Sequence, residues 1–256
     1  MEINEFKQEF EIYLLKMDIE LSEEQYNQFY KYMNILIEWN KKINLTAITE
    51  PKEVILKHFV DCLAIAKYID KNKTIIDVGT GAGFPGIPLK IYRKDLEITL
   101  VDSLNKRINF LNEVINQLNL KEIKAIHGRA EELGKNKKYR EQFDVATSRA
   151  VANLATLSEY LIPFVKNGEK VLFMKTLEVE EELEKAKKAI KVLGGKIENV
   201  NKFYLPNSEI GRSVVIVRKE KETPNKFPRK PGTPAKEPIW FWSRRKNRFI
   251  LGVNTK

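Results

Sequence analysis

Between residues 75 and 86 the chain reads Ile75-Ile76-Asp77-Val78-Gly79-Thr80-Gly81-Ala82-Gly83-Phe84-Pro85-Gly86. A short β-branched run leads into alternating glycines, and an apolar segment of helical spacing follows. Glycine at this density is needed where side chains would block the approach of a ligand to a strand-to-helix turn. Such a turn belongs to a parallel sheet whose strands alternate with helices.

The rest of the chain agrees with that sheet. Ile75–Val78, Ile98–Val101, Ile123–His127, Phe143–Thr147 and Lys170–Met174 read as five strands. Helices are expected near Gly86–Tyr92, Lys106–Leu118, Ala152–Leu161 and Glu178–Leu193, the last closed by Gly194-Gly195. Lys196–Tyr204 and Arg212–Lys219 then follow with no helix between them, and a loop with Pro206 and Gly211 makes them an antiparallel hairpin. Upstream, Glu5–Met17 carries apolar residues at helical spacing, and Ser22 with Gln25 forms a capping-box signature before a second helix. Pro51 opens a third helix expected to run to about Ile69. From Thr223 to Pro238 the chain is basic and Pro-rich, which predicts an extended arm outside the core. The expected division is an N-terminal helical extension (1–70), a core (71–222) and an arm (223–256).

Charge separates two readings of the glycine turn. Gly81-Ala82-Gly83-Phe84-Pro85-Gly86 fits a dinucleotide pattern, and Asp77-x-Gly79-x-Gly81-x-Gly83 fits a methyltransferase pattern. A pyrophosphate would sit badly near Asp77, and Pro85 removes an amide donor from its cradle. S-adenosylmethionine has no phosphate, and its ammonium and sulfonium favour a nearby carboxylate. Asp102, ending the second strand, is placed to take both ribose hydroxyls. After strand three, Ala130 and Glu131 are expected at the adenine, through the Ala130 amide and the backbone or carboxylate of Glu131. The fold expected is therefore α/β: a doubly wound, Rossmann-like class I methyltransferase sheet, mostly parallel, with a C-terminal antiparallel hairpin and preceding helices.

The loop after strand four, Thr147-Ser148-Arg149-Ala150, lacks the Asn/Asp-Pro-Pro-aromatic turn of exocyclic-amine methylation. Carbon methylation of a pyrimidine needs a thiolate, and the single cysteine, Cys62, reads as a small buried apolar residue. What remains is an acceptor already nucleophilic, such as guanine N7, which carries no proton. No catalytic base is assigned. Arg149 is the candidate for positioning guanine by its N7/O6 edge; it also suits the cofactor pocket, or a partnership with a carboxylate. His58 and Asp61 read as a helix pair, on the surface or at the pocket mouth. His127 reads as structural, and no metal site is expected.

The chain has 256 residues and a net charge of +10. Its C-terminal 45 residues, from Arg212 on, hold 13 Lys/Arg and 3 Asp/Glu, so the excess of +10 lies there and residues 1–211 are neutral. Phe227, Trp240, Phe241, Trp242 and Phe249 are interleaved with it. Cations beside aromatic rings suit a phosphate backbone and unstacked bases. The cations expected to meet RNA are Lys175, Arg212, Arg229, Lys230 and Lys236. No signal peptide or membrane span is expected, and one cysteine fits a reducing, cytoplasmic compartment.

Together these stretches resemble the ribosomal RNA small subunit methyltransferase G family, also called glucose-inhibited division protein B. The resemblance lies in Trp39–Ile48, His58-Phe59-Val60-Asp61, Asp77–Pro88, Val101–Arg107, His127–Glu131, Ser148–Ala152 and the arm Thr223–Pro234. It implies methylation of guanine N7 in 16S rRNA with S-adenosylmethionine as donor. It also implies cofactor contacts at Gly79, Phe84, Ala130, Glu131 and Arg149, with Asp102 near the ribose. The expected partner is 16S rRNA or the small ribosomal subunit, the protein acting as a monomer. Cys62 stands where the family commonly has serine, and Trp240–Lys256 has no counterpart in the family pattern. The competing expectations are a methyltransferase for a small-molecule or protein acceptor, and an RNA-binding protein without catalysis.

Overall fold

A computed structural model describes residues 1–149 and 152–239. Trp240–Lys256 and the Ala150-Val151 dipeptide, which entered the charge and resemblance arguments, lie outside the described residues. Helices α1 (Ile3–Leu15) and α2 (Glu23–Asn40) come first. The capping box is present: Gln25 N donates to Ser22 Oγ at 3.3 Å and Ser22 N to Gln25 Oε1 at 2.8 Å. Phe6 and Phe10 of α1 meet Phe29 of α2 and Phe59 in an edge-on aromatic cluster, with Phe10 and Phe29 centroids 5.1 Å apart.

The third helix departs from expectation. It is α3 (Pro51–Val54), a π-helical turn (Ile55–Val60), α4 (Asp61–Leu63) and a 3-10 turn (Ala66–Tyr68). The widened turn shifts the phase of the residues around it, and such turns recur at functional sites.

The sheet follows: β1 (Thr74–Val78), α5 (Gly86–Tyr92), β2 (Glu97–Asp102), α6 (Asn105–Gln117), β3 (Ile123–His127), α7 (Ala130–Leu133), β4 (Phe143–Arg149), α8 (Leu154–Leu161), β5 (Val165–Thr176), α9 (Glu180–Val192), β6 (Gly195–Tyr204) and β7 (Gly211–Lys219). The strand order is β3-β2-β1-β4-β5-β7-β6, with β7 antiparallel to both neighbours. The hairpin therefore inserts its second strand beside β5. β5 begins earlier than expected because Lys166, Asn167, Gly168 and Glu169 are not buried and carry no apolar signal.

Alternation along the strands feeds two cores. Ile75, Ile98, Leu100 and Val145 pack with α1, α2, α5 and α6, while Ile76, Val78, Val101 and Ala146 pack with α8 and α9. Strand order reverses between β1 and β4, and a crevice opens at their C-terminal ends.

Residues 223–239 are not a detached arm. Phe227 and Ile239 are 5% and 4% exposed and belong to the second core. Arg140 Nη1 donates to Phe227 O at 2.8 Å, and Thr156 Oγ1 to Pro234 O at 3.1 Å. The short helix α10 (Thr233–Lys236) interrupts the extended path. Apolar side chains between the prolines make this segment a strap across α8.

Candidate active site

Asp77 builds the glycine turn. Its Oδ2 accepts from Thr80 Oγ1 at 2.6 Å and from Gly86 N at 2.9 Å, while Oδ1 is buried without a partner. Burial raises its pKa to about 7. Asp77 is fully buried and lines none of the cavities described below, so it clasps the turn rather than facing a ligand. Gly79, Gly81 and Gly83 have φ of 70°, 61° and 95°, backbone that side chains rarely adopt. A Cβ on Gly81 would meet no atom within 4 Å, so that position faces open space. Tyr32 of α2, fully buried, donates its hydroxyl to Ala82 O and props the turn from behind.

Three adjoining cavities open on this crevice. The glycine-turn cavity, about 390 Å³, is lined among others by Thr46, His58, Gly79, Gly81, Phe84, Asp102 and Arg149. The strap cavity, about 280 Å³, shares Gly79, Asp102 and Ser103 with it and adds Ala130, Glu131, Tyr160 and Gly232. The arginine cavity, about 410 Å³, shares His58 and Arg149 with the first and adds Asp61, Lys175, Thr176, Glu182 and Arg212.

Asp102 lies where the first two cavities meet, but its carboxylate is already engaged. Oδ1 accepts from Leu104 N at 3.0 Å, and Oδ2 from Gly81 N at 3.0 Å and Arg107 Nη1 at 3.2 Å. A carboxylate has about four acceptor positions, so capacity remains for a ribose hydroxyl. Glu131 is 6% exposed and its Oε1 accepts from Gly232 N at 2.8 Å. The adenine role expected of that carboxylate thus meets a competing structural one.

Arg149 stands between the glycine-turn and arginine cavities. Nη1 donates to Lys57 O at 2.9 Å and Asp61 Oδ2 at 3.1 Å, and Nη2 lies 3.0 Å from His58 Nδ1. Its guanidinium carbon is 4.7 Å from the centroid of Phe84, which stacks on His58 at 4.5 Å. His58 Nδ1 also lies 3.1 Å from Lys57 O, and Nε2 lies 2.9 Å from Thr46 Oγ1, so both ring nitrogens have polar partners. Burial and the Arg149 charge push the His58 pKa down to about 3. Asp61, 3% exposed, also accepts from Arg212 Nε at 2.9 Å. His58 and Asp61 are therefore buried partners of arginines, not a pair on a helix surface.

The expected RNA contacts divide. Lys175 and Arg212 line the arginine cavity, each ion-paired, to Glu182 at 2.7 Å and to Asp61. Arg229 is turned inward: Nε and Nη2 grip Glu159, itself 1% exposed, at 2.9 and 2.6 Å. Lys230 and Lys236 are exposed on the strap. Elsewhere in the C-terminal excess, Arg218 pairs with Glu198 and the buried Lys219 with Glu141 at 2.5 Å. The cluster of positive charge is thus partly internal. His127 is exposed, its Nε2 3.0 Å from Ser103 O. Cys62 is buried, and burial pushes its thiol pKa up, as suits a packing residue.

Thr46 was not singled out from the sequence. Asn40 places it: Oδ1 accepts from Leu45 N and Thr46 N at 2.8 and 3.0 Å, and Nδ2 donates to Thr46 O at 2.9 Å. An asparagine at the last position of a helix was the available signal.

Residues 25–210 match a family described as GidB: rRNA small subunit methyltransferase G. A protein named Ribosomal RNA small subunit methyltransferase G from Clostridium botulinum (strain Loch Maree / Type A3) is 53% identical over 225 residues, 87% of this chain and 94% of that protein. One of the same name from Desulforamulus reducens is 53% identical over 226 residues, 88% and 94% of the two chains. The structure of P. horikoshii TYW2 in complex with MeSAdo aligns with a TM-score of 0.50 and 16% identity, covering 63% of this chain and 62% of that one. That likeness is one of fold. No helix among the described residues is long and apolar enough to cross a membrane.

Proposed function

Because the chain belongs to the rRNA small subunit methyltransferase G (GidB) family, we propose that it methylates N7 of one guanine in 16S rRNA, with S-adenosylmethionine as donor. The crevice suits that donor: an elongated pair of cavities runs from Arg149 past Asp102 to Gly232, over a turn whose Gly81 leaves open space. In this reading Gly79, Phe84, Asp102 and Arg149 hold the sugar and amino-acid portions, and Ala130 and Glu131 border the adenine. When bound, S-adenosylmethionine supplies a methyl carbon activated by its positive sulfur, open to direct attack by a lone pair.

One observation carries the N7 assignment. Among the described residues lining the glycine-turn and arginine cavities, no group stands ready to take a proton. Both His58 nitrogens are engaged. The carboxylates are each paired with a cation: Asp102 with Arg107, Asp61 with Arg149 and Arg212, and Glu182 with Lys175. An acceptor that must lose a proton would find its base occupied; guanine N7 has no proton to lose. The arginine cavity is the place for the base, where Arg149 and Arg212 offer donors to O6 and Lys175 to phosphate. Catalysis then rests on alignment. Residues 1–70 prop the turn and lend Thr46, His58 and Asp61 to the cavity walls, 71–222 supply the rest of the site, and exposed Lys230 and Lys236 meet the RNA backbone.

The test is transfer of labelled methyl into small subunits, or their RNA, from cells lacking the protein. Label at one N7-methylguanine supports the reading; label at a carbon, an exocyclic amine or only a small molecule defeats it.

A further inference from the structure

The strap ends up at a cavity wall. Gly232 lines the strap cavity together with Val78, Gly79, Glu131 and Tyr160. Its φ is 80°, a left-handed conformation that turns its amide inward to Glu131 Oε1 at 2.8 Å. The segments on either side are fixed independently. Before the turn, Arg229 is bound through N, Nε and Nη2 to the buried carboxylate of Glu159. After it, Thr156 Oγ1 holds Pro234 O at 3.1 Å. Glu131 belongs to α7 and Glu159 and Thr156 to α8, so two helices of the core position one turn.

The geometry points to the strap as a structural wall of the cofactor site, with the Gly232–Glu131 hydrogen bond as the latch that closes its adenine end. This rests on the reading of the crevice as an S-adenosylmethionine site. Glu131 is 6% exposed, and its Oε1 is held by the Gly232 amide of the strap. The contribution of Glu131 to binding is then to keep the wall in place, with the base edge read by neighbouring backbone. The strap cavity is small, about 280 Å³, so withdrawal of one wall widens its access to water. A polar base held in an open groove competes with solvent for each of its hydrogen bonds.

The full chain is titrated calorimetrically with two probes, S-adenosylhomocysteine and methylthioadenosine, the second lacking the amino-acid portion. The variants are Glu131→Ala, Glu131→Gln and Gly232→Ala. The last adds a Cβ with no atom within 4 Å, so it strains the latch through its backbone without overlap. Glu131→Ala and Gly232→Ala are expected to raise Kd for both probes by a similar factor, about tenfold, and Glu131→Gln, which keeps the acceptor oxygen, by about twofold at most. Unchanged binding in Gly232→Ala, a loss confined to S-adenosylhomocysteine, or equal losses in Glu131→Gln and Glu131→Ala would each overturn the latch. Failure of the unmodified protein to bind either probe would instead remove the cofactor reading on which the latch rests.

Discussion

Nη1 of Arg149 lies 3.1 Å from Oδ2 of Asp61, at the wall between the cavity assigned to the cofactor and the one assigned to the base. The other oxygen of Asp61 takes Arg212 from β7, 151 residues away in sequence. One buried carboxylate thus sets two guanidinium groups on separate strands. Asp61→Asn keeps the shape and removes the charge. We expect kcat on small subunits to fall by about 10- to 100-fold, since hydrogen bonds to charged groups contribute about 1.5–3 kcal/mol. Cofactor Kd should rise by a smaller factor, through Arg149 alone. An equal loss in cofactor affinity, measured by calorimetry, would argue against this role.

Two buried titrating groups act on stability in opposite directions. His58 has a depressed pKa, so its contribution is complete above its ordinary value of 6.5 and is lost as pH falls toward about 3. Asp77 has a raised pKa, so its contribution is complete below 3.8 and is lost as pH rises through about 7. His58→Gln should flatten the fall in melting temperature on the acid side of about pH 6.5. Asp77→Asn should remove a decline that runs from pH 3.8 to about 7 and levels off above it. Melting profiles parallel to the unmodified protein would contradict both assignments.

A side chain at Gly86 would force its neighbours to move. A Cβ there would lie 2.3 Å from Leu100 Cδ2 and 3.0 Å from Asp77 Oδ2, where α5 crosses β2. Gly86→Ala is expected to cost about 1–3 kcal/mol, read from the urea midpoint, and to weaken cofactor binding by displacing the turn. A midpoint equal to that of the unmodified protein would show that the helix shifts freely.

The strap cations should separate by role. Arg229→Met leaves Glu159 buried without its partner and should cost about 3–5 kcal/mol. Adding Glu159→Leu should recover most of that loss. Lys230→Gln and Lys236→Gln should leave the melting temperature unchanged and reduce the slope of log K for RNA against log salt by about 1 each. A stable Arg229→Met protein with a similarly reduced slope would return Arg229 to the RNA face.

The parts of this molecule legible in its sequence are those with local causes. The glycine turn, the bounds of β3 and α5 and the antiparallel hairpin follow from runs of a few residues. The site is less legible because its contacts are remote. Nothing near Arg229 announces Glu159, 70 positions away, and Arg149 finds His58 and Asp61 at separations of 91 and 88. Nor does anything near Tyr32 in the chain point to Ala82, 50 positions on, which its hydroxyl holds. Prolines at 224, 228, 231, 234 and 238 spoke for an extended segment, and the apolar Phe227 and Ile239 that pin it down carried too little periodicity to outweigh them.

The π-turn at Ile55–Val60 has a consequence for sequence change. A turn of this kind holds one residue more than an α-turn. Deleting one residue between Ile55 and Lys57 would restore ordinary winding of about 100° per residue while the flanking segments keep their faces. Within the turn, His58 would shift relative to Asp61 just beyond it, and with it the contacts to Thr46 and Arg149. A deletion that leaves every named side chain in place would therefore disturb the site through winding alone. The site depends on residue count as well as residue type.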